Sequence, residues 1–452
     1  MLKYKDDKGE WVEYRIPAHS VETKNGLTVQ QEFDKNKKEV NKITQTIKQL
    51  EANGGNAGYV MSPSGVKFKL CVTDSGQLYT AMMKMPRVDI IGSLNGIGKD
   101  KPVWAELKYT GEKSFHKKVQ IEIQGNTSAN FPKKNYTFDL YEMDGETSCK
   151  VVFRDWVATD SFHLKANWID ATHARNVLNA RWAKQIFPSL PMGARGVVDG
   201  FPVEVYLNNQ FHGIYTWNLK QNKDLFQMNK KNENHLMYRA DYHDGAGSFA
   251  NWSNEDIHRV WENRIPKKIT EHTKLARMIK WVGEASNEDF KANISQYLDL
   301  DSCINYYVMM DIMYLPDNRC KNMTLATWDG NIWYPIFYDI DTSWGLYWDG
   351  GSTYSATSQI EKGSRLWDKL VDNFGDQIKA RYIELRQSIF TKTNIINEFE
   401  IFANIIGIEN YKKDQAKWTG IPSKEYGIDF IKDWINKRFA FLDAKHEITL
   451  DD

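Results

Sequence analysis

Cysteine is scarce in this chain. Four in 452 residues, Cys71, Cys149, Cys303 and Cys320, lie far apart, with no Cys-x-x-Cys and no Cys/His pair at metal-ligand spacing. That excludes a zinc ribbon and a disulfide-stapled scaffold, and it points to a reduced chain made in a cytoplasm. An excess of charge of either sign is also lacking. Lys plus Arg and Asp plus Glu are 59 each, which excludes a general nucleic-acid or polyanion binder. No apolar run is long enough to span a membrane, and the charged opening MLKYKDDKGEW reads as no signal peptide. Aromatic residues, by contrast, are abundant: 13% of the chain, with 16 Trp and 22 Tyr. Most of these rings are expected in the core. The surplus tilts toward carbohydrate binders and secreted or particle-borne proteins.

Residues 310–348 carry the chemistry. Asp317 and Asn322 sit five apart in a stretch with Pro316, Arg319 and Lys321 that reads as a loop. Two strand-like runs follow, 323–328 and 331–338, joined by Asp329-Gly330, a strong hairpin signal. The hairpin returns Asp339 and Asp341 to the loop where it began. One carboxylate and one amide on a loop, meeting one or two carboxylates at a strand end, suit phosphoryl transfer. The first would take the proton of an acceptor hydroxyl, and the others would hold Mg²⁺ on nucleotide phosphates. No His-Arg precedes Asp317 and no Asp-Phe-Gly follows the hairpin, which excludes an ordinary protein kinase. The plain alternative is a polar loop whose aspartates cap turns. A glycosidase pair is a third reading, and the Asp-x-Asp spacing with an Asn fits Mg²⁺ better.

The rest of the chain divides around this stretch. Residues 1–57 form an arm and an amphipathic helix. Val29, Phe33, Asn36, Val40, Ile43, Ile47 and Leu50 recur at alternating steps of four and three, a heptad seam with one polar member that would fix register. Burying that seam calls for self-association through residues 29–50, the alternative being a single amphipathic helix packed on its own domain. Residues 58–84 read as a small β-hairpin, 66–72 and 77–81 around a turn. Residues 85–223 are β-rich, with strands at 88–91, 104–109, 117–123 and 131–141 and a hairpin at 202–217, interrupted by a helix at 170–187. In 125–134 a Gly-Asn-Thr-Ser turn precedes Lys133 and Lys134, a combination able to hold phosphates, although surface lysines on a solvated loop would look the same. From residue 224 the pattern is mainly helical, with helices at 274–285, 301–313, 365–370, 375–390 and 427–441. The expectation is an α+β chain with a bilobal domain and its site at the junction.

Four motifs occur in one order: QGNTSANFPKKNY at 124–136, DATHARN at 170–176, VEVYLNNQFHGIY at 203–215, and DNRCKN through YDIDTSWG at 317–345. Together they resemble the spore-coat CotH kinase family, an atypical kinase-like fold, over residues 85–446. The resemblance implies an ATP- and Mg²⁺-dependent phosphotransferase whose substrates include secreted structural proteins. It would make Asp317 the catalytic carboxylate, with Asn322 and Asp339 or Asp341 on the metal. Lys133 or Lys134 would then meet the nucleotide phosphates, and Arg175 would support the site. One departure stands out. After the Gly-x-Tyr strand the family usually carries a glutamate to orient a phosphate-binding lysine, and here Lys220 stands near that place, with Glu204 as a substitute. The first 84 residues separately resemble attachment and trimerisation regions of bacteriophage tail-fibre and baseplate proteins, and that resemblance implies three chains associated through residues 29–50. The combined expectation is a virion structural protein carrying a CotH-like domain, with other particle proteins and a host cell surface as partners. The alternative is an active protein kinase with a Ser or Thr acceptor. Removing residues 1–55 is expected to turn an oligomer into a monomer. Light scattering that shows the same mass for both would rule out the seam.

Overall fold

In the computed structural model, residues 85–194, 196–269, 271–422 and 428–450 are described in full. Before them come the backbones of five short strands: β1 (Leu2–Lys5), β2 (Trp11–Tyr14), β3 (Tyr59–Met61), β4 (Lys67–Val72) and β5 (Leu78–Met82). These form one antiparallel sheet in the order β2-β1-β3-β4-β5. The expected hairpin is therefore β4 and β5, paired from Phe68↔Met82 to Val72↔Leu78, and it is not isolated. Lys3 pairs with Met61, so the opening arm belongs to the same sheet. The heptad seam at 29–50 lies outside the described residues. Among the described residues no helix is long and apolar enough to cross a membrane.

The chain is α+β. Seven strands close a barrel: β6 (Arg87–Ile91), β7 (Val103–Thr110), β8 (Ser114–Gln124), β9 (Asn135–Tyr141), β10 (Ser161–Lys165), β11 (Gly200–Leu207) and β12 (Gln210–Leu219). Their order round the barrel is β10-β12-β11-β6-β7-β8-β9, closed by β9 against β10. Strict alternation builds the interior, as in β7, where Ala105, Leu107 and Tyr109 turn inward. At its centre the fully buried Trp217 meets Phe138, Phe162 and Tyr109 at ring-centroid distances of 4.9, 5.1 and 5.4 Å. A ring of this size carries much of the burial energy of a small core.

One helix, α1 (Arg175–Ile186), crosses over between β10 and β11. The second half is less purely helical than its sequence suggests. It holds a four-stranded sheet, ordered β14-β13-β15-β16, from β13 (Leu236–Ala240), β14 (Trp261–Ile265), β15 (Met323–Thr327) and β16 (Tyr334–Phe337). Around it pack α2 (Asn254–Val260), α3 (Thr273–Glu284), α4 (Asn287–Asn293), α5 (Leu300–Met313), α6 (Arg365–Arg386), α7 (Lys392–Ile406), α8 (Ile408–Lys417) and α9 (Asp429–Lys445). The helices expected at 365–370 and 375–390 are one helix, α6, with a break at Phe374. Helix α5 is capped by the Asp299 carboxylate, which accepts from the Ser302 N–H, and is almost wholly buried. A stack of Phe337, Tyr306 and Trp367, with centroids 3.9 and 5.1 Å apart, locks β16 to α5 and α6.

Helix α8 is tied back to the barrel by an ion pair with no exposure on its cationic side. The Lys133 ammonium donates to both Asp414 carboxylate oxygens, at 3.0 and 2.9 Å, and to the Ile214 carbonyl at 2.6 Å. Asp414 also accepts from the Ile214 N–H at 2.8 Å and faces His173 at 3.3 Å. Burial alone would raise the Asp414 pKa. Lys133, His173 and the amide outweigh it and hold the carboxyl well below its usual range. For Lys133 burial outweighs the single carboxylate and pulls the pKa down. The direction that governs the cluster is that of Asp414, which has three partners. A depressed carboxylate stabilises fully above the unfolded pKa and loses that contribution as pH falls. Asp414→Ala is expected to cost about 3–5 kcal/mol in urea unfolding at pH 7, because it strands a buried ammonium. The double variant Lys133→Met with Asp414→Leu should recover most of it. If both variants unfold alike, the pairing is not what holds α8.

Candidate functional site

The site is built on the β15–β16 hairpin. Met323 pairs with Phe337, which sets Asn322 opposite the Tyr338–Asp339 corner. Asn318, fully buried, donates to the Tyr338 carbonyl at 2.9 Å, and the Tyr306 hydroxyl donates to the Asn318 carbonyl at 2.8 Å. Asn322 and Asp339 thus stand at one end of the hairpin, and Asn318 ties the loop that carries Asp317 to the same corner. The backbone there is forced. Tyr314, Asn322, Asp339 and Trp344 all have positive φ, between 50° and 61°. Asn and Asp tolerate that region, whereas for bulky Tyr and Trp it is strained, costing roughly 1–3 kcal/mol each.

Helix α1 fixes the segment after Asp339. The Arg175 Nε donates to the Ser343 carbonyl at 2.9 Å. The Asn179 amide donates to the Ile340 carbonyl at 2.6 Å and to the Ser343 hydroxyl at 2.7 Å, while its oxygen accepts from the Trp344 indole at 2.7 Å. Asn176 accepts from the Ile340 N–H at 3.3 Å. Arg175 is itself held by Asp170 at 2.5 Å, so it shapes the site from beneath and is buried away from any ligand.

Strand β10 supplies a cation that sequence reasoning missed. Phe162 and Leu164 point into the barrel core, so His163 and Lys165 fall on the opposite face by the two-residue period. The Lys165 ammonium lies 3.3 Å from Asp339 Oδ1. Burial would weaken its charge, but Asp339, Tyr338 and Asp341 outweigh it and raise the lysine pKa. Asp341, half-buried, is pushed up to about 7 by burial and then by the neighbouring Asp339 charge, with Lys165 opposing. A small, partly open cleft borders this group. Lys165, Asn176, Ala180, Val197, Phe337 and Asp339 are among its walls. The turn between β8 and β9 reaches the same place, since the Gln124 amide donates to the Tyr338 hydroxyl at 3.3 Å. Gly125, at φ +112°, is required in that turn because a Cβ would sit 2.0 Å from the Ser128 hydroxyl.

In chain order these parts are a glycine-bearing turn, a lysine on the next strand but one, a helix, two more strands, an Asp…Asn loop, a hairpin and a terminal Asp. Protein kinases place their phosphate-covering loop, lysine, αC helix, catalytic loop and metal-binding Asp in this order. Lys165 pairs with Asp339 directly, and Asn176 of α1 is turned to the Ile340 N–H.

The remaining residues named from sequence fall elsewhere. Lys133 is sealed in its pair with Asp414 and presents nothing to a phosphate. Lys134 donates to the Ala129 carbonyl at 2.8 Å and fastens the turn at 127–130. Glu204 lies beside the Tyr206 hydroxyl at 3.4 Å and orients no site lysine, and Lys220 faces Asp139 at 3.6 Å. Asp317 faces His243 at 3.6 Å. Among the described residues no three His, Cys, Asp or Glu side chains cluster closely enough to hold a metal unaided. Mg²⁺ does not ask for such a cage, because one or two carboxylates with nucleotide phosphates suffice. Asp339 and Asp341 fit that need as two carboxylates two residues apart, where burial and then the Asp339 charge disfavour the Asp341 carboxylate and a divalent cation would offset both.

A family model described as CotH kinase protein matches residues 121–442. That span runs from β8 into α9 and includes every residue of the site just described. No curated protein matches the chain.

The raised Asp341 pKa has a defined sign. Folding favours its protonated form, so the carboxylate costs stability as pH rises from about 4 through about 7. Asp341→Asn is expected to stabilise the protein at pH 8, on the order of 1 kcal/mol or more, and to stabilise it clearly less at pH 5, where only the lower part of the interval has been crossed. Denaturant unfolding at the two pH values checks this. Equal effects at both would mean that Asp341 is ionised throughout.

Proposed function

The chain belongs to the CotH kinase family, and on that premise we propose that its domain binds ATP with Mg²⁺ and transfers the γ-phosphoryl group to a hydroxyl. The observation that carries this reading is the 3.3 Å contact between Lys165 and Asp339. It joins the barrel to the end of the hairpin, 174 residues apart in sequence, across a cleft. In the proposed assignment Lys165 meets the nucleotide phosphates, in place of Lys133 or Lys134. Backbone N–H groups of the turn at 125–130 cover them, as such turns do for anions. Asn322, Asp339 and Asp341 would hold the metal, which when bound neutralises charge building on the phosphoryl oxygens. Asp317 orients the acceptor hydroxyl and takes its proton. Arg175, Asn176 and Asn179 keep the Asp339–Ser343 backbone in place and touch no reactant. Such a site works by positioning and electrostatics.

We further propose that the domain rides on an oligomerising stem and is built into a bacteriophage particle, where it meets other particle proteins or a host surface. What supports this is the heptad spacing at 29–50 and the β4–β5 hairpin after it. The two readings are compatible, and one measurement separates a working site from a bare scaffold. Calorimetry of ATP·Mg²⁺ on the full chain is expected to give micromolar binding. Lys165→Met and Asp339→Ala should each weaken it about tenfold or more, the worth of a charge-assisted contact. No heat at millimolar ATP would leave the fold as architecture only.

A further inference from the structure

Residues 352–358 read Ser-Thr-Tyr-Ser-Ala-Thr-Ser, six hydroxyls in seven positions, and nothing assigned so far uses them. The segment is built, and it lies over the catalytic loop. Its entry is a small turn: Leu346 bridges to Thr353, the Tyr347 N–H donates to the Ser352 carbonyl at 3.2 Å, and the Asp349 carboxylate takes the N–H groups of Gly351 and Ser352 at 2.8 and 2.7 Å. Tyr354 then donates its N–H to the Gly345 carbonyl at 2.8 Å and stands its ring edge-on to Tyr314, centroids 5.0 Å apart. Further on, the Trp434 indole and the Arg438 guanidinium hold the carbonyls of Tyr354 and Ala356, each at 2.9 Å. At the exit, Arg319 donates to the carbonyls of Lys362 and Glu361 at 2.6 and 3.3 Å. The two anchors on the catalytic loop, Tyr314 and Arg319, bracket Asp317. The bridge between them is the hydroxyl-rich segment, whose Ser352, Thr353, Ser355 and Thr357 are exposed.

We propose that the acceptor of this site is its own segment, residues 352–358, phosphorylated within the same molecule. This rests on the phosphotransfer reading and names its substrate. A hydroxyl oxygen of the segment attacks the γ-phosphorus of ATP, and its proton passes to an Asp317 carboxylate oxygen. The bond from the γ-phosphorus to the bridging oxygen breaks, and ADP leaves with that electron pair. Nothing is oxidised or reduced. The Tyr354 ring packs on Tyr314, three residues before Asp317, and burial and then the Asp317 charge raise its phenol pKa. Intramolecular delivery suits the geometry, since a tethered acceptor needs no docking groove and gains a high effective concentration.

The test uses the full chain with γ-labelled ATP·Mg²⁺, peptide mapping by mass spectrometry, and casein as a second acceptor. The expected result is one phosphorylated peptide containing residues 352–358, at a first-order rate independent of protein concentration and absent in Asp317→Asn. Separately, the non-hydrolysable analogue AMP-PNP with Mg²⁺ should slow hydrogen exchange across 346–358 in the wild type. Label on casein or elsewhere in the chain, with 352–358 unlabelled, overturns the inference and leaves the phosphotransfer reading standing. A labelling rate that rises with protein concentration overturns the intramolecular route. Failure to bind AMP-PNP at all overturns both readings.

Discussion

Three side chains of one helix hold the site together. Arg175, Asn176 and Asn179 lie on one face of the first turns of α1, and all of them bond to the stretch from Ile340 to Trp344. Their partners are mostly backbone atoms, so the helix reads the path of the chain more than its side chains. This bears a strain that local preference would release. Asp339 and Trp344 adopt left-handed backbone at either end of the clamped stretch, and only an over-determined surrounding keeps them there. Asp170 completes the arrangement by holding Arg175 and accepting its N–H. The asparagines suit this work, because one amide can donate and accept at once without bringing charge into a buried place.

The electrostatics follow from where that clamp puts Asp339 and Asp341. Two carboxylates two residues apart cannot both ionise cheaply in a half-buried setting, and a single lysine from the barrel is within reach. Lys165 therefore holds a place that a metal or a phosphate could contest. A nucleotide with its cation presents both, so the ion pair can exchange partners without leaving any of the three charges uncompensated.

Much of this was legible in the sequence, and what was not has clear causes. The hairpin after the Asp317…Asn322 loop was readable from Asp-Gly between two apolar runs, but its strands end at Thr327 and resume at Tyr334, so the connection is the longer loop 328–333 and not the two-residue turn that Asp-Gly favours. The barrel strands from β6 to β9 declared themselves by alternation. Lys165 did not, because Ser161–Lys165 is short and offers no motif, and only its closure against β9 and β12 shows which way it faces. Lys133 misled for the opposite reason. Paired lysines after a glycine turn resemble a phosphate grip, but the partner that claims the first, Asp414, is 281 residues away. Strands β13 and β14 were hidden among helices, since their pairing is with β15 and with each other, and their own patterns are too short to stand out. Lys220, where the resemblance implied a glutamate, faces Asp139 on the barrel.

The Lys133–Asp414 pair has a consequence for traffic through the cleft. The barrel and the second sheet are joined along the chain where β12 ends, and Gln221 stitches that crossing to Phe337 and Thr324. Helix α8 adds a strap from the far end of the chain, bolted to the barrel by charges that no solvent reaches. Two halves fastened at two places do not swing apart like jaws. A movement that parted the halves would have to break the buried Lys133–Asp414 pair and leave each charge without its partner.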